Sequence, residues 1–230
     1  DELGALLLNR TTRQFSLMMP DHLLNLIVAP LTERLAEIAP GLRLDVTAWR
    51  GPAIMTPELA RSIDLVIACT ADSFPAFHRQ RLFADSDALA VRRGHPLGPR
   101  LKRLDGFVKA RHVAVVGRGQ REDPIDTWLR EKRVQRQIAL TVPSYLQALY
   151  MAANTDLVAF VPRRLTEAQA ASLGLQAIAP PLDPGVDEEF MFHPTRAQAD
   201  PASLWLRKQV IEIGRALDRA EESKSRRKAA

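Results

Sequence analysis

Cysteine is nearly missing: Cys69 is the only one in 230 residues. That excludes an internal disulfide and any zinc or iron–sulfur site built from several cysteines. Long apolar runs are missing too, since nothing approaches the ~18 uninterrupted apolar residues of a membrane span. The opening DELGALLLNRTTRQF has neither the basic flank nor the small-residue cleavage site of a signal peptide, so a cytoplasmic chain with no membrane contact is expected. The motifs GxGxxG, GxxxxGK[ST], GxSxG and HExxH are absent, which removes the usual phosphate, nucleophile and zinc signatures. GRGQ at 117–120 follows a strand-like run, but two glycines in four residues more often make a plain turn. The five histidines, His22, His78, His95, His112 and His193, show no paired helical spacing. No metal, no cofactor and no catalytic residue is therefore expected.

What is present is a globular composition, 46% hydrophobic and 26% charged, enough to bury a sizeable core in one large or two smaller domains. The formal charge of +5 hints at nucleic acid. Setting aside Lys224, Arg226, Arg227 and Lys228 of the tail leaves 5 − 4 = +1, with no basic stripe interleaved with aromatics. These residues by themselves do not read as a DNA-contacting surface, and the tail reads as a frayed, solvated end.

Short apolar runs alternate with helix-like segments, the pattern of βα units and a mostly parallel sheet. Strands are expected at 14–19, 42–48 and 63–68, with helices at 21–38 and 56–62; Thr56 and Pro57 mark the second helix as cap and first residue. Two more strand-like runs, RQRLFADS and DALAVRR, precede a restart of the pattern. Strands at 112–117, 137–142 and 157–161 then alternate with helices near 124–133, 144–153 and 163–173, the last stopped by Gly174. Strands near 175–179 and 188–193 lead to a final helix capped by Asp200 with Pro201 first. Its residues Leu206, Val210, Ile213 and Leu217 form one apolar stripe that must pack on another element. In the first helix Leu24, Val28, Leu31, Leu35 and Ile38 make a stripe suited to the sheet. Leu23, Leu26, Ile27 and Pro30 widen the apolar arc beyond half the circumference, which predicts a second partner for this helix.

Open α/β sheets hold ligands at the carboxyl ends of their strands. The turns there are MPDH at 19–22, CTADS at 69–73, GRGQ at 117–120, PSY at 143–145 and FVPRR at 160–164. They nominate Met19, Pro20, Asp21, His22, Thr70, Gly117, Arg118, Ser144, Tyr145 and Phe160 as ligand-binding candidates, against the plain reading of each as a cap or loop residue. Ser144 caps its own helix in that plain reading, while Tyr145 offers a ring to stack on a planar ligand.

The stretches FSLMMPDHLLNLIVAPLTERLAEIAPGLRLDV, SIDLVIA, RRGHPL, NTDLVAFVPRRL and FMFHPTRAQADPASLWLRKQV resemble the effector-binding domain of LysR-type transcriptional regulators, in the subgroup of NodD and NahR. The resemblance covers about residues 13–215. It implies an α/β fold of two Rossmann-like subdomains joined by two crossover strands, the type 2 periplasmic-binding-protein fold. Subdomain I would comprise 13–88 plus 195–220 and subdomain II 89–194, with 1–12 the end of a linker helix and 221–230 a basic tail. A small-molecule effector in the interdomain cleft would control promoter DNA binding through an N-terminal winged helix-turn-helix outside this chain. The family's self-association, dimeric here and tetrameric at full length, would pair the first helix with the final helix of a second subunit. That makes Leu23, Leu26, Ile27, Pro30, Val210, Ile213 and Leu217 interface candidates. Pro20 stands where many members carry a serine or threonine, and proline offers neither hydroxyl nor N–H. With Asp21 adjacent, this disfavours a carboxylate effector. On the second crossover strand, alternation puts Phe190 and Phe192 on one face and Met191 and His193 on the other. His193 is expected to line the cleft as a neutral hydrogen-bonding wall, or else only to bridge the two crossover strands. A transport solute-binding protein of the same fold is the alternative function.

Overall fold

The computed structural model describes residues 12–117 and 119–229; the expected linker helix at 1–12 falls almost wholly outside them. The chain forms two compact units. One runs to Ala84 and resumes at Glu188; the other spans Asp85–Asp187. Both crossings come a few residues earlier than expected, so the returning strand belongs to the first unit.

The first unit contains β1 (Gln14–Met19), helix α1 (Leu24–Val28 continued by Ala29–Ile38), β2 (Arg43–Ala48), α2 (Pro57–Ser62), β3 (Leu65–Ala68) and β4 (Phe77–Asp85). After the excursion it adds β10 (Asp187–Pro194) and α7 (Pro201–Ala229). The sheet order is β2-β1-β3-β10-β4, with β1 parallel to both β2 and β3 and β10 antiparallel to β3. Alternation along the strands divides the core. Phe15, Leu17, Met19, Leu65, Ile67 and Met191 face α1 and α7, while Met18, Val66 and Phe192 face α2.

Helix α1 departs from the expected phase. It begins as a π-helical turn, Leu24–Val28, in which Ala29 N–H donates to the Leu24 carbonyl five residues back, and continues as the α-helix Ala29–Ile38. Pro30 has no N–H to give the Leu26 carbonyl, and its ring would crowd that oxygen in a regular α-turn; the wider turn relieves both. The extra residue rotates the helix, so Leu23, Ile27, Leu31, Leu35 and Ala39, spaced by four, are the buried stripe. Leu24, Val28 and Ile38 are only half-buried. Helix α7 packs beside α1 within the same unit, where Arg34 donates to Gln209 at 3.1 Å and Glu212 at 3.3 Å. Its backbone stays helical to Ala229, so the tail prolongs α7.

The second unit contains β5 (Asp87–Arg92), α3 (Leu104–Lys109), β6 (Arg111–Val115), α4 (Pro124–Glu131), β7 (Gln137–Val142), α5 (Tyr145–Asn154), β8 (Val158–Pro162), α6 (Arg163–Leu173) and β9 (Leu175–Ile178). Its sheet runs β7-β6-β8-β5-β9, with β6, β7 and β8 parallel and β5 antiparallel to its neighbours. The helix boundaries follow local chemistry. Ser144 Oγ accepts from Gln147 N–H at 3.1 Å, and Gly174 ends α6 at φ +64°, a conformation costly for other residues. Asp123 caps α4 and also accepts from Val115 N–H at 2.8 Å and from the buried Arg136 at 2.8 Å, which fastens the β6–α4 loop to the strand before it. Among the described residues no helix is long and apolar enough to cross a membrane, and no group of three or more His, Cys, Asp or Glu could hold a metal ion.

Candidate functional site

In the first unit the register aligns Met19 with Ala48, Met18 with Val66 and Ala68 with Phe190, so β1, β2 and β3 end at one edge of the sheet. Leu23 and Leu24 N–H groups donate to the carbonyls of Pro20 and Asp21, both at 3.1 Å, and start α1 there. The Met19 side chain is buried in the core, leaving its carbonyl to accept from Trp49 N–H at 3.0 Å. Pro20, Asp21 and Thr70 are half-buried at this edge. Thr70 Oγ1 donates to Asp72 Oδ2 at 3.1 Å and accepts from Asp72 N–H at 3.3 Å. Arg79 lies over the Phe190 ring, 4.7 Å from its centroid, and donates to the carbonyls of Ala71 and Asp72, which holds that turn in place.

Sequence reasoning missed two residues here. Trp49, the first residue after β2, is half-buried against the cluster that contains Met18 and Met55, and its backbone N–H is held by the Met19 carbonyl. Its signal was available, an aromatic directly after the strand-like run LDVTA. Glu189 is buried and accepts from His22 Nε2 at 3.1 Å, joining β10 to the first turn of α1. Only its alternation with Met191 and His193 marked it as facing inward.

His193 is placed differently from the expectation of a cleft wall. Phe192 aligns with Val66 and Met18, so His193 is level with Leu65 and Leu17, at the amino end of β3. Along the strands this is roughly 10 Å from the level of Pro20. The ring is buried and stacks on His78 of β4, with centroids 5.1 Å apart, so it bridges the two crossover strands. Its Nε2 lies 2.5 Å from both Arg207 Nη1 and Gln198 Oε1, and one nitrogen cannot accept from the first while donating to the second. Arg207 carries only donors, so Nε2 of a neutral imidazole accepts from it, and Gln198 Oε1 takes an N–H of Arg207 at 3.3 Å. Burial holds the imidazole below its ordinary range, and Arg207 and His78 push the same way.

In the second unit Gly117 closes a turn, donating to Gln120 Oε1 at 2.8 Å and accepting from Gln120 N–H at 3.0 Å. Arg118 lies outside the described residues. Ser144 caps α5, and Tyr145 is half-buried against the core formed by α5 and β8. Phe160 is a correction to the ligand-binding set. It is 2% exposed and packs edge-on to Phe107 and Trp128, each at 6.1 Å, because β8 is the central strand of its sheet and is covered on both faces.

The interface candidates divide similarly. Leu23, Ile27, Val210 and Ile213 lie in the unit's own core, so α7 already covers the face of α1 that a second subunit was expected to cover. Leu26, Pro30 and Leu217 remain half-buried.

The model of the LysR substrate binding domain matches residues 9–214. The transcriptional regulator SyrM of Rhizobium etli is 32% identical over 199 residues, covering 86% of this chain and 59% of that protein. The transcriptional activator NahR of Pseudomonas putida is 25% identical over 201 residues, covering 87% of this chain and 67% of that one. Among solved structures, the regulatory domain of MexT, a transcriptional activator in Pseudomonas aeruginosa, superposes with a TM-score of 0.73 at 25% identity, covering 88% of this chain and 98% of that chain. This chain thus spans about three fifths of the length of SyrM, and SyrM, NahR and MexT are regulators of transcription. With two α/β units of three parallel strands each, strand-end turns in the expected places and a family match over residues 9–214, the chain belongs to the LysR substrate-binding domain family.

Proposed function

We propose that the chain is the effector-sensing and self-associating part of a cytoplasmic LysR-type transcription regulator. A small planar molecule binds at the carboxyl ends of β1, β2 and β3, against Pro20, Asp21, His22, Trp49 and Thr70. Gly117, Ser144 and Tyr145 are the second unit's own candidates at its strand-end turns. Binding shifts the population of arrangements, and with it the hold of a DNA-binding region on promoter DNA. The observation that carries this reading is the family match over residues 9–214, which includes every one of these turns.

Self-association is assigned to the outer face of α1 and to β2, the edge strand of its sheet. Supporting this is an apolar groove of about 340 Å³ lined by Val28, Ala36, Leu44 and Val46 beside that edge, which no strand among the described residues pairs. Screening small aromatic compounds by thermal shift tests the sensing role, since a ligand at ~100 times its dissociation constant adds about 2.7 kcal/mol of stability. A stabilising compound whose affinity is unchanged in both Trp49→Ala and Tyr145→Ala refutes the placement. Ala36→Glu, an exposed change, should turn a sedimenting dimer into a monomer; an unchanged dimer removes this face.

A further inference from the structure

We propose that the second unit carries a sequence-independent contact surface for double-stranded DNA, a row of cations at the amino ends of its parallel strands that lies against duplex phosphates. This rests on the reading of the chain as part of a promoter-bound regulator. The register fixes the row. Arg111 pairs with Gln137, and His112 with both Ile138 and Val158, so β6, β7 and β8 start at one edge of the sheet. Ala90 pairs with Ala159, so the antiparallel β5 leaves the sheet at that same edge. The connections there bring in Arg93 after β5, Lys102 at the end of the turn Gly98–Lys102, Lys109 and Arg111 at the start of β6, and Lys132 and Arg133 ahead of β7. All six are exposed, and none has an ion-pair partner among the described residues. Neighbouring carboxylates are already matched: Asp105 accepts from Arg103 at 3.0 Å and from Arg100 at 3.4 Å, and Asp156 accepts from Arg92 at 2.8 Å. That leaves Glu131, exposed at the end of α4, against six cations.

The backbone at Arg133 is an independent observation. Helix α4 ends with Val134 N–H donating to the Leu129 carbonyl and Arg133 N–H to the Arg130 carbonyl, both at 3.0 Å, while Arg133 stands at φ +58°. Glycine takes that conformation without cost, as Gly174 does at the end of α6. Among the described residues Arg133 is the one non-glycine residue with positive φ, and its exposed guanidinium bonds to nothing in the fold. A strained backbone carrying an outward charge points to a contact made beyond the chain. The row favours a duplex. Strands about 4.8 Å apart make it ~15 Å long from β7 past β6 and β8 to β5, which at 3.4 Å per step follows about four phosphates of one strand. None of these connections carries an exposed aromatic ring, so the stacking platform that single strands need is missing. Cations on short turns reach phosphates, whereas base edges are read by a helix or ribbon inside the groove. Three connections between Arg93 and Arg133 supply the row, which is why it is scattered along the chain and continuous only in the fold.

The test is fluorescence anisotropy of a short labelled duplex of arbitrary sequence, titrated with the whole chain at pH 7.5 over a series of salt concentrations. The original chain should bind with a Kd below ~100 µM at ~0.1 M salt. Combining Lys109→Gln, Arg111→Gln, Lys132→Gln and Arg133→Gly should weaken binding at least tenfold, and the slope of log K against log salt should shrink by about 0.9 for each charge removed. Arg133→Gly alone should lower the slope by about 0.9 while leaving the urea midpoint unchanged or raised, because glycine suits the turn. This single variant decides the matter if the combined one does not fold. Arg226→Gln with Arg227→Gln is the control for the basic tail. Binding lost in the tail variant but intact in the edge variants overturns the inference, as does no binding by the original chain. A single strand or polyglutamate that binds more tightly than the duplex overturns the choice of partner. A compound that stabilises the chain in the thermal-shift screen, beside edge variants that bind DNA normally, refutes this row alone; duplex binding through the edge with no stabilising compound refutes the sensing reading alone.

Discussion

His112 gives the protein a measurable acid sensitivity. It sits on β6 between β7 and β8, fully buried, with Nε2 donating to the Phe107 carbonyl at 2.8 Å and the imidazole edge-on to the Phe107 ring at 4.7 Å. Nδ1 is buried with no partner among the described residues, so protonating it creates an N–H that none of them accepts. Burial is the main cause that lowers its pKa to about 4, and Arg136 and His95 push further down against the Phe107 bond and Asp126. In the unfolded chain the group titrates near 6.5. Between those values the unfolded state binds the proton and the native state does not, so stability is complete above about pH 6.5 and falls as the pH drops. At 1.36 kcal/mol per unit the full effect is about 3 kcal/mol, of which about 2 kcal/mol is lost by pH 5. For a unit of this size that corresponds to a fall in Tm on the order of 10 °C. His193 and the carboxylates also respond to acid, so the measurement is a comparison. Urea unfolding at pH 7.5 and pH 5 is run on the original chain and on His112→Gln, whose amide can still donate to Phe107 but does not titrate. The original chain should lose about 2 kcal/mol more than the variant. Equal losses would refute the reasoning.

Arg136 has a side chain with no exposure and donates to Asp126 at 2.7 and 3.0 Å and to Asp123 at 2.8 Å. Arg136→Met should destabilise by about 3 kcal/mol, since Asp123 is left buried while the more exposed Asp126 can rehydrate; a urea midpoint within experimental error of the original would show that the pair is dispensable. Ser144→Ala should cost about 1 kcal/mol through loss of the bond to Gln147 N–H. A thermal melt with no shift would mean that water replaces the cap.

Much of the fold was legible in the sequence because its information is local. Thr56 with Pro57, Asp123 with Pro124 and Asp200 with Pro201 start helices wherever they occur, and Gly174 stops one by a backbone angle few other residues tolerate. Strand alternation likewise assigned Phe192 and Met191 to opposite faces, as the two cores around them show. The resemblance carried the family and the two-unit plan. Tertiary structure decided what depends on partners distant along the chain. The π-turn forced by Pro30 moved the buried stripe of α1 onto Leu23 and Ile27, a rotation that regular helical periodicity does not contain. Phe160 lies on β8, buried on both faces, so no pattern distinguished a core ring from a pocket wall. His193 met Arg207 and Gln198, and His22 met Glu189 across 167 residues of chain. Side-chain chemistry states what each group can bond, but only the packed sheet and helices bring a particular donor within 3 Å of a particular acceptor.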